Sequence, residues 1–397
     1  MSEWKKVKLG ELCEITSSKR CHASERSTEG IPFYCSKEII LLDKGETILH
    51  SDYIPVSLYE DIKERFGVPN AGDLLLTTRG TNGIPYIYKD TDCFYFADGN
   101  LSWFKNFTDK ADVQFIYYWF KSYKGKHVID SIAKGTAQKA VPIEGLRNIE
   151  LFVPSIASQH RIATILSRYD TLIENYQKQI KLLEEAAQRL YKEWFVDFRF
   201  PGYENVKMVD GLPERWKRKK LVDFAKVIMG QSPKSEFYNN ENKGLPFHQG
   251  VGSYGNRFVV DETYSTSYTR IAEANSVLFS VRAPVGRLNI TKNKIVIGRG
   301  LAAMTHVQGY QSFLFYLLKE RFFKDNIIGN GAIFASISKD ELLNLEFMIP
   351  SDDLIQRFNA IAGNMDDKIL KADNQIRLLT EARDRLLPRL MGGEMEV

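Results

Sequence analysis

From Ile162 onward the chain places Ile162, Leu166, Tyr169, Ile173, Tyr176, Ile180, Leu183, Ala187, Leu190 and Trp194 at alternating steps of four and three. That spacing is a heptad seam held over four repeats, and it predicts one long helix with a single apolar stripe. The pattern returns at Phe358, Ala362, Met365, Ile369, Ala372, Ile376 and Leu379, is broken by Arg383, and resumes at Leu386 and Leu390. Each run is announced by Pro-Ser, in PSIASQHR from Pro154 and PSDDLIQR from Pro350. Ser155 and Ser351 suit N-caps, Asp352 and Asp353 suit a first helical turn, and Pro388 is expected to end or kink the second helix. Between Ile162 and Leu190 the chain advances 28 residues, about 42 Å of helix. Elsewhere the short apolar runs LLLTT, IPYIY, NIELFV, SVLFS, RLNIT, KIVIG and NLEFMI read as strands. FIYYWF at Phe115 and FLFYLL at Phe313 read as amphipathic aromatic helices.

The chain also repeats itself in order. WKKVKL at Trp4 matches WKRKKL at Trp216 with an offset of 212, and GIPF at Gly30 matches GLPF at Gly244 with 214. DLLLTTRGTNG matches SVLFSVRAPVG with 203, which sets Arg79 on Arg282 and Gly83 on Gly286. DGNL at Asp98 falls on GRGL at Gly298, and the offset then settles at 196 from GTAQKAVPIEGLRNIELFVPS and GAIFASISKDELLNLEFMIPS onward. Offsets that drift while order is kept are the trace of a tandem duplication. The largest change, 11 residues, falls between GxPF and Arg79 or Arg282, so the two copies diverge most there.

A repeat of this length implies two similar domains rather than a solenoid. The expected division is residues 1–154, a long helix over 155–200, a second domain over 201–350, and a second long helix over 351–392. The first helix must deliver the chain to the second domain, and the second has nothing to deliver. Packed seam to seam, they form an antiparallel coiled coil. The fold class is therefore mixed α/β, with two tandem globular domains of similar fold, two long helices and a pseudo-twofold arrangement.

Composition narrows the class only slightly. At 397 residues, 44% hydrophobic and 26% charged, the chain has an ordinary globular composition. No apolar run reaches the roughly 18 residues of a membrane span, and MSEWKKVKLGELCEI lacks a signal peptide's apolar core. No membrane partner is expected, and the expected location is the cytoplasm. Cys13, Cys21, Cys35 and Cys93 contain no CxxC pair and read as reduced thiols. A net charge of +4 is compatible with nucleic acid but does not argue for it alone.

The tandem pattern, the W(x)4L opening of each copy, GTAQKAVPIEGLRNIELFVPS with its helix, RLYKEWFVDFRFPG after that helix and GLPERWKRKKL before the second copy together carry a resemblance. The chain resembles the specificity subunit of type I restriction-modification systems over essentially its whole length. The resemblance implies two target-recognition domains, each binding half of a split asymmetric site in double-stranded DNA. It implies helices that set the spacing and dock two DNA-methyltransferase (modification) subunits, with restriction/translocase subunits as further partners. S-adenosylmethionine, ATP and Mg would then bind those partners, and no cofactor is expected on this chain.

The residues themselves offer little to an enzyme. There is no GxxxxGK[ST] loop, no NPPY or DPPY tetrapeptide, no HExxH and no paired CxxC. His22, His50, His127, His160, His248 and His306 are scattered, so neither a catalytic nor a metal site is expected. Gly250, Gly252 and Gly255 spell GxGxxG, but strand-like NRFVV follows where a dinucleotide site needs a helix. A glycine hairpin or a close approach to DNA is the better reading.

Contact with DNA needs cations for phosphate and Arg, Lys, Asn or Gln groups for base edges. Arg79 with Asn82, and Arg282 with Arg287, close a strand in each copy, with a core-edge arginine paired to a carboxylate as the structural alternative. Lys134, Thr136, Gln138 and Lys139 form a polar loop before the last strand of the first domain. Lys234, Tyr254, Arg257, Tyr268 and Arg270 form a basic aromatic set in the most divergent interval. The seam residues are expected to form a coiled-coil core. Tyr169, Tyr176 and Trp194, large for a two-stranded seam, leave apolar surface for partner helices. Two rival readings stay open, a coiled-coil scaffold independent of DNA and a fused nucleic-acid-modifying enzyme.

Overall fold

The duplication is visible strand by strand in the computed structural model, which describes residues 4–46, 48–135, 139–322 and 336–397. Lys5 faces Val153 in an antiparallel pair that joins the start of the first domain to its end, and Lys217 faces Ile349 in the second. Leu74 faces Phe104, as Val277 faces Met304. Phe33 runs parallel to Tyr95, as Phe247 does to Val296. Even the isolated bridge between Arg79 and Ala140 recurs between Arg282 and Ser336. These pairs are related by the offsets read from the sequence, except Tyr95 and Val296, which stand 201 apart.

The chain divides into two compact units, residues 1–177 with 374–397 and residues 178–373. The first unit has a four-stranded sheet, in the order Glu14–Thr16, Leu101–Lys105, Leu74–Thr77, Pro85–Ile87. A three-stranded sheet in the order Asp52–Ile54, Ile31–Tyr34, Tyr95–Phe96 lies beside it in sequence. The second unit repeats the four strands as Ala225–Met229, Leu301–His306, Val277–Ser280, Leu288–Ile290.

The central strand of each four-stranded sheet is apolar without alternation because it is covered on both faces. Leu74 and Leu76 pack with Phe115, Ile116 and Trp119 of the helix Val113–Lys121, while Leu75 packs with Trp103 and Tyr86 on the other side. In the second unit Val277 and Phe279 face Phe313 and Leu317, and Leu278 faces Ile295 and Ile297. Asp112 caps the first of these helices, accepting from the Phe115 amide at 2.8 Å.

In the divergent interval the two units differ in kind. The first unit follows its GIPF strand with the helix Ser36–Asp43 and follows the next strand with the helix Val56–Arg65. In this interval the second unit has only a 3-10 turn at Val251–Ser253 among the described residues, and it adds the strand Ile271–Ala272 there and Tyr238–Asn239 just before it, which widen its second sheet to five strands.

The two long helices run over Ile156–Phe195 and Asp352–Met391, 40 residues each. Ser155 caps the first, accepting from the Ser158 amide at 3.3 Å. Pro388 does not end the second. The helix continues past it to Met391, because a proline so near the C-terminus removes one late backbone bond while Leu390 and Met391 are held in the core of the first unit. In that unit Ile162 and Leu166, from the start of the first helix, share a core with residues from the end of the second. In the second unit Tyr191 and Trp194, near the end of the first helix, surround Phe358 near the start of the second, with ring centroids 5.7 and 6.1 Å apart. The helices thus pair antiparallel in each unit. Every predicted seam position, from Ile162 to Trp194 and from Phe358 to Leu390, is buried or half-buried.

The one polar break in the seam has a partner. Arg383 pairs with Asp170 at 2.6 Å, and the Tyr118 hydroxyl donates to the other Asp170 oxygen at 2.6 Å. Burial alone would lower the Arg383 pKa, but its bonds to Asp170 and Asp384 outweigh it and keep the guanidinium charged. Tyr316 and Asp366, at offsets 198 and 196, repeat the pair in the second unit at 3.1 Å.

Candidate nucleic-acid interface

In the second unit four strands end at one place, the turn Gly298–Gly300. Gly298 donates to the His248 carbonyl (2.8 Å), Gly300 to the Gln249 carbonyl (3.1 Å), and Gln231 to the Ile297 carbonyl (2.9 Å). Val281, at the end of the central strand, donates to the Gly300 carbonyl at 2.9 Å, which brings Arg282 to the same edge. Arg270 arrives through its carbonyl, which accepts from the Ile297 amide at 2.9 Å. Close approach requires the glycines, since a Cβ at 298 would lie 2.7 Å from Gln249 Oε1 and one at 300 would lie 2.6 Å from the Gln249 carbonyl oxygen.

The first unit gathers its residues at the equivalent edge. Thr78 donates to the Asn100 carbonyl (2.8 Å), and the Ser36 hydroxyl bonds both that carbonyl (3.1 Å) and the Arg79 carbonyl (3.0 Å). Arg79 bridges Ala140, which also bridges Lys134, and the Asn82 amide reaches the Lys139 carbonyl at 3.4 Å. The structure therefore brings Arg79, Asn82, Lys134 and Lys139 together. Thr136 and Gln138 lie outside the described residues. Arg79 and Arg282 are exposed, and among the described residues neither meets a carboxylate, which removes the core-edge ion pair as their explanation. Lys234, Tyr268, Arg270 and Arg287 are exposed too.

Two expected contacts are overturned. Arg257 is only 4% exposed. Its guanidinium bonds Asp366, Glu184 (3.2 Å) and the Tyr316 hydroxyl (3.3 Å) and lies over the Phe315 ring at 4.3 Å. Burial alone would lower its pKa, but Asp366, Tyr316 and Glu184 outweigh it and keep the cation charged. Arg257 is the second unit's counterpart of Arg383, a strut from the domain to both long helices. Tyr254 is likewise turned inward, packing against the cluster of Leu278, Ile295 and Ile297 with its hydroxyl covered, and burial pushes its pKa up.

The GxGxxG run is no dinucleotide cradle. After Gly250 comes one 3-10 turn, and Tyr254 then bridges Val259 in a hairpin. His248 latches that hairpin, with Nδ1 at 2.8 Å from Ser253 Oγ and Nε2 at 3.0 Å from Asp261 Oδ1. The imidazole is fully enclosed, so the trio fixes a loop rather than exposing a nucleophile. The WKKVK and WKRKK strands are also internally engaged. Lys6 pairs with Glu150 and Arg218 with Glu346, while Lys8 and Lys220 reach Asn148 and Asn344.

Sequence reasoning missed Gln231, Ser232, Gln249 and Arg299. Their signal was the GRGL motif facing GQS and HQG, whose glycines mark crowded backbone. Among the described residues no group of three or more His, Cys, Asp or Glu could hold a metal ion, and no helix is long and apolar enough to cross a membrane.

The family model described as the type I restriction modification DNA specificity domain matches residues 1–185 and 213–369. The assigned MjaX type I restriction enzyme specificity subunit of Methanocaldococcus jannaschii is 28% identical over the whole of this chain and 94% of its own. The MjaIX specificity subunit of the same organism is 28% identical over 82% of this chain and 78% of its own. Among solved structures, the type I restriction-modification S subunit from M. genitalium matches with a TM-score of 0.64 at 18% identity, covering 98% of this chain and 96% of that one, and so shares its fold. With that family model covering both copies of the repeat, the chain belongs to the DNA specificity subunits of type I restriction-modification systems.

Proposed function

We propose that this chain reads a bipartite, asymmetric DNA site, one half with each unit, and presents it to two methyltransferase subunits and to restriction/translocase subunits. The observation that carries this reading is the paired edge. Each unit ends its sheets on an exposed arginine, Arg79 or Arg282, that meets no carboxylate among the described residues, while the strands beneath keep one register. The chain itself is non-catalytic in this reading and acts in the cytoplasm. S-adenosylmethionine, ATP and Mg bind the partners.

The experiment is selection from random duplexes at low salt, followed by competition. A split sequence with an unread spacer supports the reading. Binding that never discriminates between duplexes supports a scaffold instead, and turnover by the purified chain alone supports the fused enzyme. The spacing has its own test. One heptad inserted after Tyr176 and one after Ala372 keeps the seam in phase and adds about 10 Å, roughly three base pairs. The spacer should lengthen by that amount with both half-sites unchanged.

A further inference from the structure

Arg299 sits between two glycines whose Cβ positions are filled by Gln249, and its own amide donates to Ser232 Oγ at 3.2 Å. The turn is thereby fixed by four hydrogen bonds, from Gly298, Arg299, Gly300 and Gln231. Its side chain is exposed, and among the described residues no carboxylate pairs with it. Gln249 beside it is exposed and accepts from Ser232 Oγ through Oε1 (2.7 Å), a bond that does not use its amide donors. Arg270 is joined to the same strand end through Ile297.

The first unit is built differently at this point. Arg20 occupies the place of Ser232, and it is neutralised by Asp98 at 3.1 Å, where the second unit has Gly298. The second unit has neither that cation nor that acid; its own arginine, Arg299, stands where the first unit has Gly99 and meets no carboxylate among the described residues. The second unit's cluster of Arg299, Arg270 and the Gln249 amide offers donors. Among the four bases, only guanine shows two adjacent acceptors, N7 and O6, in the major groove, whereas adenine and cytosine each need an acceptor on the protein.

Resting on the two-half reading above, we propose that Arg299, supported by Gln249 and Arg270, reads a guanine in the half-site bound by the second unit. A phosphate would also accept from arginine. What favours a base is the fixed backbone from which this guanidinium is displayed, since a bidentate base contact requires a defined origin and a phosphate contact does not.

The test selects duplexes from a random pool with the full chain, with Arg299→Ala and with Arg299→Gln, and measures affinity at two salt concentrations. The wild-type chain should select at least one guanine in the second half-site. Arg299→Ala should reduce discrimination at that position by at least about 5-fold, with the first half-site unchanged, and Arg299→Gln should move the preference toward adenine. Replacing that guanine by 7-deazaguanine should weaken the wild-type chain and leave Arg299→Ala unaffected. A uniform loss across all sequences, with a salt slope reduced by about one, would make Arg299 a phosphate contact and overturn the proposal. So would a second half-site without guanine. A wild-type chain that selects no sequence at all would instead refute the two-half reading itself.

Discussion

The two units share every principal strand pairing, yet they differ in the source of their buried cation and in what they display at the sheet edge. In the first, the helix arginine Arg383 pairs with Asp170, which also accepts from the Tyr118 hydroxyl; in the second, the domain arginine Arg257 meets both Asp366 and Tyr316. The acid and the phenol keep their places on the helix and the domain while the arginine comes from a different element. The constant part of the molecule is therefore the attachment of a domain to its helix, and the variable part is the surface that domain exposes. The divergent interval, helical in one unit and stranded in the other, lies where variation leaves that attachment intact.

The largest effect should come from the buried strut. Arg257→Ala leaves Asp366 and Glu184 without their cation and should destabilise the second unit by about 3–5 kcal/mol. Hydrogen exchange should show the loss in Val277–Ser280 and Leu301–His306 and spare Leu74–Thr77. Equal loss in both units would mean that they do not unfold separately.

Gly298→Ala comes next, since its Cβ meets Gln249 atoms at 2.7 and 2.9 Å, and should cost about 1–3 kcal/mol by overpacking. In the first unit Gly99, which stands where the second has Arg299, has open space around it but a φ of +70°, so Gly99→Ala should cost about 1–2 kcal/mol from backbone strain alone. Urea unfolding of the two variants checks the order.

A pH difference should separate the units more gently. Burial lowers the His306 pKa to about 4, against a facing Asp352 that raises it, while Lys219 adds to the lowering. Because the folded pKa is depressed, His306 is neutral in the fold and the unfolded chain takes up the proton first. Its contribution is present above about pH 6.5 and is lost as pH falls toward 4. The first unit has Asn106 at this place. Protection of the second unit should therefore fall more than that of the first across this window, and His306→Asn should narrow the gap.

Much of this architecture is legible in the chain. The seam, the duplication and the strands LLLTT and SVLFS follow from periodicity, because a long stripe or a doubly covered strand imprints many residues at once. Arg383 reads as a flaw in the seam only because its partner, Asp170, is 213 residues away. Arg257 looks like a DNA contact for a related reason. A basic residue in a divergent loop carries no local sign that two acids from distant helices will enclose it. Arg299 escapes notice because its setting is made by glycines on neighbouring strands, and sheet neighbours are not sequence neighbours.

The central claim is that each unit reads its own half-site. It is tested most directly by a chimera in which residues 5–153 replace residues 217–349, spliced where Lys5 faces Val153 and Lys217 faces Ile349. Sequencing of the duplexes it selects should show the first unit's half-site on both sides of the spacer. If the second unit's half-site persists, or if the half contributed by the unaltered first unit changes, half-site reading is not the property of a single unit.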